Sequence, residues 1–311
     1  ATVQGRGFNR QAEFDVQVQQ LNGALRRQPV QGSGRLQHLA NRWNTQGIHL
    51  SWGAARLSAE GSVAKSDTGS AHDLHWALEV PALKLLDDQL DGDLSMKGHL
   101  SGAMHAPQIS LQLQTKRFGY EGLSVQKLNV STSIDMSDQN DSKLELNFDT
   151  MSLKQASLNK IRMTGEGHLR KHTLTLQGMI NIPSMTDPMP LELQLQGGYS
   201  ATNWQGILSS LKVGVAQLEK QSAVMLSAHH AQLNEFCLQA GSGHLCADGQ
   251  WQRDEMGHNQ WSVDAQLQSL PITLQNSALI NGAHLQAKLN GQLTLKALPN
   301  MPWQGTANLQ M

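Results

Sequence analysis

Apolar and polar residues alternate one by one along much of this 311-residue chain. The clearest stretch is residues 90–113. From Leu90 to Gly102 every even-numbered position is apolar or glycine, every odd-numbered position is polar or charged, and the alternation resumes after Pro107. A repeat of two residues places one set of side chains on each face of a β-strand. The pattern therefore favours β-sheet with one apolar and one polar face.

The same alternation recurs along the chain in segments such as KLELNFDT, HTLTLQGMINI and QWSVDAQLQSL, with turn residues between them. Strand follows strand almost without a helix, whereas parallel pairing needs crossover connections of about a dozen residues or more. Because no linker or shift in composition divides the chain, we expect residues 1–311 to form a single continuous β segment.

Two short stretches have helical spacing instead. Leu36, Leu39, Ala40 and Trp43 predict one or two helical turns. A second helical turn is predicted in the leucine-rich segment of residues 83–90.

The apolar face of such a sheet must be covered. About 25 strands at ~4.8 Å spacing would extend about 120 Å. Leaving one aliphatic face bare would forfeit on the order of 100 kcal/mol. A sandwich rarely continues through so many strands, and an outer-membrane barrel would carry aromatic girdles, whereas aromatic residues make up 5% of this chain. The predicted fold is all-β: an elongated, mostly antiparallel sheet folded over into a groove with an aliphatic lumen. The alternative is a closed core.

The charge balance excludes a nucleic-acid footprint, because 24 Lys and Arg offset 25 Asp and Glu. The chain begins at Ala1 without a signal-peptide pattern. It also has no apolar run near the roughly 20 residues that span a bilayer. We expect any membrane anchor to lie upstream of this segment.

The two cysteines, Cys237 and Cys246, flank a predicted hairpin. A two-residue turn at Gly241-Ser242 would pair Ala240 with Gly243. Counting outward, the cysteines then stand opposite each other at a non-hydrogen-bonded position, where Cα atoms lie about 4.5 Å apart. We predict a cross-strand disulfide, which fits an oxidising periplasm; the alternative is two free thiols.

Other candidate sites are weak. The pairs His168 with His172 and His229 with His230 lie in predicted strands and turns, so we expect no metal site there. No G-x-S-x-G elbow or carboxylate pair stands out, and the G-x-G pieces open no helix. We expect no catalytic residues, no cofactor and no enzymatic activity.

The segment DLHWALEVPALKLLDDQLDGDLSMKGHLSGAMHAP resembles the repeated cassette of the TamB proteins, relatives of the AsmA-like bridge-type lipid transfer proteins. LNGALRRQPVQGSGRL, LSWGAARLSAEGSV, EFCLQAGSGHLCADGQW and LQSLPITL match further parts, and together these segments cover most of residues 13–295. The resemblance implies a β-taco in the periplasm of a Gram-negative bacterium, with the parent protein anchored in the inner membrane. It further implies that this chain is a fragment of a longer protein whose N-terminal anchor and C-terminal domain lie outside it. The implied partner is the outer-membrane barrel TamA, reached through a region outside this chain.

The function predicted from the pattern and the resemblance is a conduit for phospholipid between the inner and outer membranes, with a linked role in outer-membrane protein assembly. The alternative is a chaperone-like scaffold that assembles β-barrels and autotransporters by β-augmentation. The residues predicted to line the lipid groove are Leu94, Met96, Leu111, Leu113, Leu144, Leu146, Phe148, Leu174, Leu176, Leu193, Leu195, Leu267, Leu289 and Leu293.

Overall fold

The protein is described here from a computed structural model. The structure describes residues 2–6, 13–39, 42–64, 71–137, 140–153, 156–182, 187–200, 202–254, 256–274, 285–297 and 304–310. Its contacts divide the chain into two compact units. The first comprises Ala1–Leu169 with Gly178–Pro188, and the second comprises Arg170–Gln177 with Met189–Met311.

The first unit is an antiparallel sheet in which consecutive strands pair with each other, except that the short strand Leu90–Gly92 pairs with Ala106–Tyr120 while its two chain neighbours pair with each other. Its complete strands are β1 (Thr2–Arg6), β2 (Glu13–Leu25), β3 (Gln28–Leu39), β4 (Arg42–Trp52), β5 (Ala55–Ala64), β6 (Ala71–Val80), β7 (Leu90–Gly92), β8 (Leu94–Ala103), β9 (Ala106–Tyr120), β10 (Leu123–Asp135), β11 (Ser142–Leu153) and β12 (Ala156–His168). The next strand, β13 (Lys171–Asn181), has residues in both units.

The second unit is also antiparallel throughout its described pairings. Its further strands are β14 (Met189–Ser200), β15 (Asn203–Val213), β16 (Ala216–Leu218), β17 (Ser222–Leu226), β18 (His230–Ala240), β19 (Gly243–Arg253), β20 (Asn259–Leu274), β21 (Leu285–Ala297) and β22 (Gln304–Gln310). The all-β, antiparallel class predicted from the sequence is confirmed.

The predicted strand from Leu90 to Gly102 is split at Asp93. β7 pairs with one end of β9 and β8 with the rest. The Asp93 carboxylate accepts hydrogen bonds from the backbone N–H groups of Lys116 and Arg117, at 3.1 to 3.2 Å. It thus satisfies donors of β9 where the strand opposite is interrupted.

β-Bulges interrupt the ladders at several points. The register shifts between Val18 and Leu21, Thr45 and Ile48, Leu233 and Phe236, and Leu267 and Leu270. Within the last two gaps, Glu235 and Ser269 have positive φ, 53° and 50°. A bulge bends its strand and increases the local twist. Each of these positions is therefore a point where the strand is expected to bend.

A short 3-10 turn, Leu83–Leu85, packs on the apolar face of the first unit. Leu83, Val80 and Ala55 form a buried cluster, with side chains 3%, 1% and 7% exposed. Leu94 and Phe118 are partly buried against it. The sequence-based prediction of a helical turn among these leucines is confirmed.

The other helical prediction is wrong. Leu36 lies in β3 and Trp43 in β4, so the described part of residues 36–43 is strand. Leu36 pairs with Thr45 and His38 with Trp43. Leu39, one residue on from His38, is on the opposite face and 40% exposed. The apparent helical spacing therefore mixes side chains from two faces of a hairpin.

Among the described residues, no helix is long and apolar enough to cross a bilayer.

Candidate functional site

A row of aliphatic side chains crosses the first unit from strand to strand. In each pairing the row residue of one strand stands directly opposite that of the next, so all project from the same face. We call this row the aliphatic stripe. One residue comes from each of β4, β5, β6, β8, β9, β10, β11 and β12: Leu50, Leu57, Leu78, Met96, Leu113, Val130, Leu146 and Met163.

The side chains beside the stripe on this face are uncharged in β8 to β11. In the described strands these are Leu94, Gly98, Leu111, Thr115, Leu128, Thr132, Leu144 and Phe148. Burial follows the alternation: in β9, Leu111 and Leu113 are half-buried, whereas Gln112 and Gln114 are exposed. The stripe therefore lies in a continuous, uncharged and only partly buried band.

Seven of the residues predicted to line a groove share this face of the first unit. They are Leu94, Met96, Leu111, Leu113, Leu144, Leu146 and Phe148. All are half-buried except Phe148, which is buried opposite Ile161. The sequence analysis missed five stripe residues, namely Leu50, Leu57, Leu78, Val130 and Met163. These residues are recognised as one row only from the pairing register of the strands, which cannot be read from a single sequence.

The remaining predicted residues lie in the second unit. Leu174 and Leu195 line one open cavity of about 350 Å³, together with Trp204. The others lie in strands: Leu176 is half-buried in β13, Leu193 stands opposite Leu211, Leu267 opposite Leu245, Leu289 opposite Leu270 and Leu293 opposite Ala265. The second unit therefore repeats the pairing of apolar with apolar residues across neighbouring strands.

Ion pairs lie on the polar face instead. The Asp15 carboxylate accepts hydrogen bonds from Arg35 Nε at 2.9 Å and Gln37 Nε2 at 2.8 Å. These two donors lower the pKa of Asp15 to about 2, with the Arg35 guanidinium the larger cause. The same pairing raises the pKa of Arg35. Charge is thus neutralised on the face away from the stripe.

The predicted disulfide is confirmed. Cys237 and Cys246 are bonded and stand directly opposite each other in β18 and β19. Ala240 pairs with Gly243 as expected, and Gly241 has the positive φ, 61°, that places glycine first in the turn.

The histidines considered in the sequence analysis lie at separate places. His168 Nε2 is 3.4 Å from an Asp141 carboxylate oxygen, and His172 Nε2 accepts a hydrogen bond from Trp204 Nε1 at 2.8 Å. His229 is exposed just before β18, and His230 is its first residue. A cluster that the sequence analysis missed brings Asp73, His75 and His99 together.

Comparison with known proteins assigns the chain to a family. A sequence model described as the TamB N-terminal domain matches residues 2–311. This chain belongs to the TamB family. It is similar to the translocation and assembly module subunit TamB of Haemophilus influenzae, with 23% identity over 325 residues. That alignment covers 99% of this chain and 24% of the relative, so the TamB-family segment spans about a quarter of the relative's length. No solved structure matches this chain.

Proposed function

We propose that this TamB-family segment is part of a non-enzymatic conduit that carries phospholipid across the periplasm of a Gram-negative bacterium. In this proposal the parent protein is anchored in the inner membrane and works within a translocation and assembly module, with the outer-membrane barrel TamA as partner through a region outside this chain. The observation that carries the proposal is the aliphatic stripe, which is continuous and uncharged and is half-buried except at the exposed Leu57.

The direction of the stripe suits transport. It runs perpendicular to the strands, so its eight residues span about 34 Å along the sheet at ~4.8 Å per strand. One acyl chain reaches about 15 Å, half of a bilayer's hydrocarbon core. The stripe is therefore longer than a single tail, and a bound tail has room to slide.

The chemistry of the stripe suits sliding rather than docking. Leu, Met and Val side chains offer similar contacts at each step, and each CH₂ removed from water contributes about 0.8 kcal/mol wherever it lies. Moving a tail by one strand exchanges one aliphatic neighbour for another. No deep minimum then holds the lipid at one position.

The experiment compares two adjacent residues of β11 in the full-length protein. Leu146 lies in the stripe, and Asn147 projects from the opposite face. A photo-reactive amino acid at 146 should form adducts with phospholipid in living cells, and the same amino acid at 147 should form none. Equal labelling at both positions, or none at either, would reject the conduit.

A matched pair of charge substitutions tests transport itself. Leu146→Asp should block lipid transfer between vesicles, because a carboxylate in the path of an acyl chain costs several kcal/mol. Asn147→Asp places the same charge on the polar face and should leave transfer unchanged. Parental transfer by Leu146→Asp, together with crosslinks from this segment to nascent barrel strands, would favour the β-augmentation scaffold instead.

A further inference from the structure

Two histidines and an aspartate converge on the polar face of the first unit. His75 in β6 and His99 in β8 stand directly opposite each other. Their imidazole rings are stacked, with centroids 3.8 Å apart and planes inclined by 7°. Asp73 lies two residues before His75 and therefore on the same face. Its Oδ1 is 2.9 Å from His99 Nε2 and 3.3 Å from His75 Nε2.

This arrangement places three possible metal ligands around one point. The two Nε2 atoms and a carboxylate oxygen lie within 4.8 Å of one another. A single carboxylate oxygen, Asp73 Oδ1, faces both ring nitrogens, so the three atoms already surround the position that a bound cation would take. Neutral imidazole and carboxylate are ligands that Zn²⁺ and related divalent ions take at about 2.0 to 2.2 Å.

The side chains have room to adjust to a metal. His75 and Asp73 are 63% and 67% exposed and His99 is 34% exposed, so small rotations that tilt the stacked rings meet little packing. Both histidines also line an open cavity of about 470 Å³. Remaining coordination positions would face this cavity and could hold water. Glu60 in β5 stands directly opposite His75 and offers a further carboxylate.

Other histidine and carboxylate contacts in the described residues are simpler. His244 meets Glu219 at 3.1 Å and His258 meets Asp254 at 3.2 Å, one imidazole to one carboxylate in each. The other candidate cluster, Glu219 with Cys237 and Cys246, has its sulfurs committed to a disulfide. A thiolate is required for metal binding. Only the Asp73 cluster thus offers three available ligands in the part of the chain described here.

We propose that Asp73, His75 and His99 form a binding site for a divalent transition-metal ion, with Zn²⁺ as the best match. This site is separate from the aliphatic stripe, because Asp73, His75 and His99 alternate with Leu74, Trp76 and Leu100, which lie on the apolar face. The proposal departs from the sequence-based expectation of no metal site. It does not depend on lipid transport.

The test is calorimetric titration of the untagged full-length protein with ZnCl₂, alongside the variants His99→Gln and Asp73→Asn. Each should weaken one saturable Zn²⁺ site at least about tenfold, because each removes a direct ligand. The control is His244→Gln, which removes a histidine that contacts one carboxylate, Glu219, and is about as exposed as His99. This variant should bind Zn²⁺ with the same affinity as the parent. MgCl₂ should give no heat at this site, since Mg²⁺ prefers oxygen ligands.

Circular dichroism should show unchanged strand content in all three variants, because the substituted side chains lie at least one third exposed. Two results would overturn the proposal: no saturable Zn²⁺ binding by the parent, or binding that His99→Gln leaves intact. Loss of binding in His244→Gln with retention in His99→Gln would place the metal elsewhere and would equally overturn it.

Discussion

Cys237 and Cys246 are joined across β18 and β19 with their Cα atoms 4.0 Å apart, two residues beyond the bulge at Glu235. The bond thus fixes the register immediately after the point where it shifts. Replacing both cysteines by alanine should lower the free energy of local opening of these strands by about 3 kcal/mol, the scale for a short disulfide loop. Hydrogen exchange of the β18 and β19 amides measures this quantity.

Reductant provides the control for the disulfide prediction. Adding reductant should lower the protection of the β18 and β19 amides against hydrogen exchange in the parent protein to the level seen in the double variant. The same reductant should leave exchange in the double variant unchanged. If exchange in β18 and β19 is the same with and without the bond, the disulfide does not stabilise this hairpin.

Gly98 lies beneath the indole ring of Trp76 on the apolar face. The two residues are directly opposite in β8 and β6, and a Cβ atom at position 98 would overlap the ring. Gly98→Ala should therefore destabilise the first unit by about 1 to 3 kcal/mol through overpacking. It should also shift the tryptophan fluorescence, because the ring must move. Urea denaturation followed by fluorescence reports both effects.

Gly249 in β19 is the matched control, because no atom lies within 4 Å of a Cβ built there. Gly249→Ala should be neutral or stabilise by about 0.5 to 1 kcal/mol, since alanine restricts the unfolded chain more than glycine. Equal destabilisation by the two alanines would mean that the loss of glycine, and not contact with Trp76, sets the cost.

Asp135, at the end of β10, should make the free energy of unfolding depend on pH in the acidic range. Its carboxylate accepts hydrogen bonds from Ser137, from Asn140 Nδ2 at 2.6 Å and from Gln108 Nε2 at 3.1 Å. These donors, Ser137 first, lower its pKa from 3.8 to about 2. A carboxyl group whose pKa is lower in the folded than in the unfolded protein stabilises the fold at any pH above its pKa in the unfolded chain. That contribution is present above about pH 4 and is lost as the pH falls through about 2.

Asp135→Asn should therefore be less stable than the parent at pH 7 and should lose less stability between pH 4 and pH 2. Urea midpoints measured at several pH values test this. Asp88→Asn, at an exposed turn residue, should follow the parent curve. Parallel acid profiles for parent and Asp135→Asn would show that this carboxylate does not contribute.

Features that depend on near neighbours in the chain were predictable. Alternation fixed which side chains of β9 are half-buried, because a strand turns each successive residue to the other face. The disulfide followed from a two-residue turn, since counting outward from Gly241-Ser242 leaves no freedom over so short a distance.

Features that depend on register between distant residues were not predictable. His75 and His99 are 24 residues apart, and only the pairing of β6 with β8 makes them neighbours. The stripe likewise requires the register that pairs β11 with β10 and β12, because a slip of one residue would send Leu146 to the polar face. The helical prediction for residues 36–43 was wrong because apolar residues on two paired strands happened to have helical spacing in the sequence.

The one-residue-per-strand construction of the stripe also governs how such a protein can change in length. Adding or removing two consecutive strands keeps the chain direction and leaves the ladders on either side in phase, while the stripe lengthens or shortens by about 10 Å. An insertion of one strand would instead reverse the direction of all that follows. Descendants of this architecture can accordingly lengthen or shorten the apolar band by gaining or losing whole hairpins, without redesigning any contact that is already made.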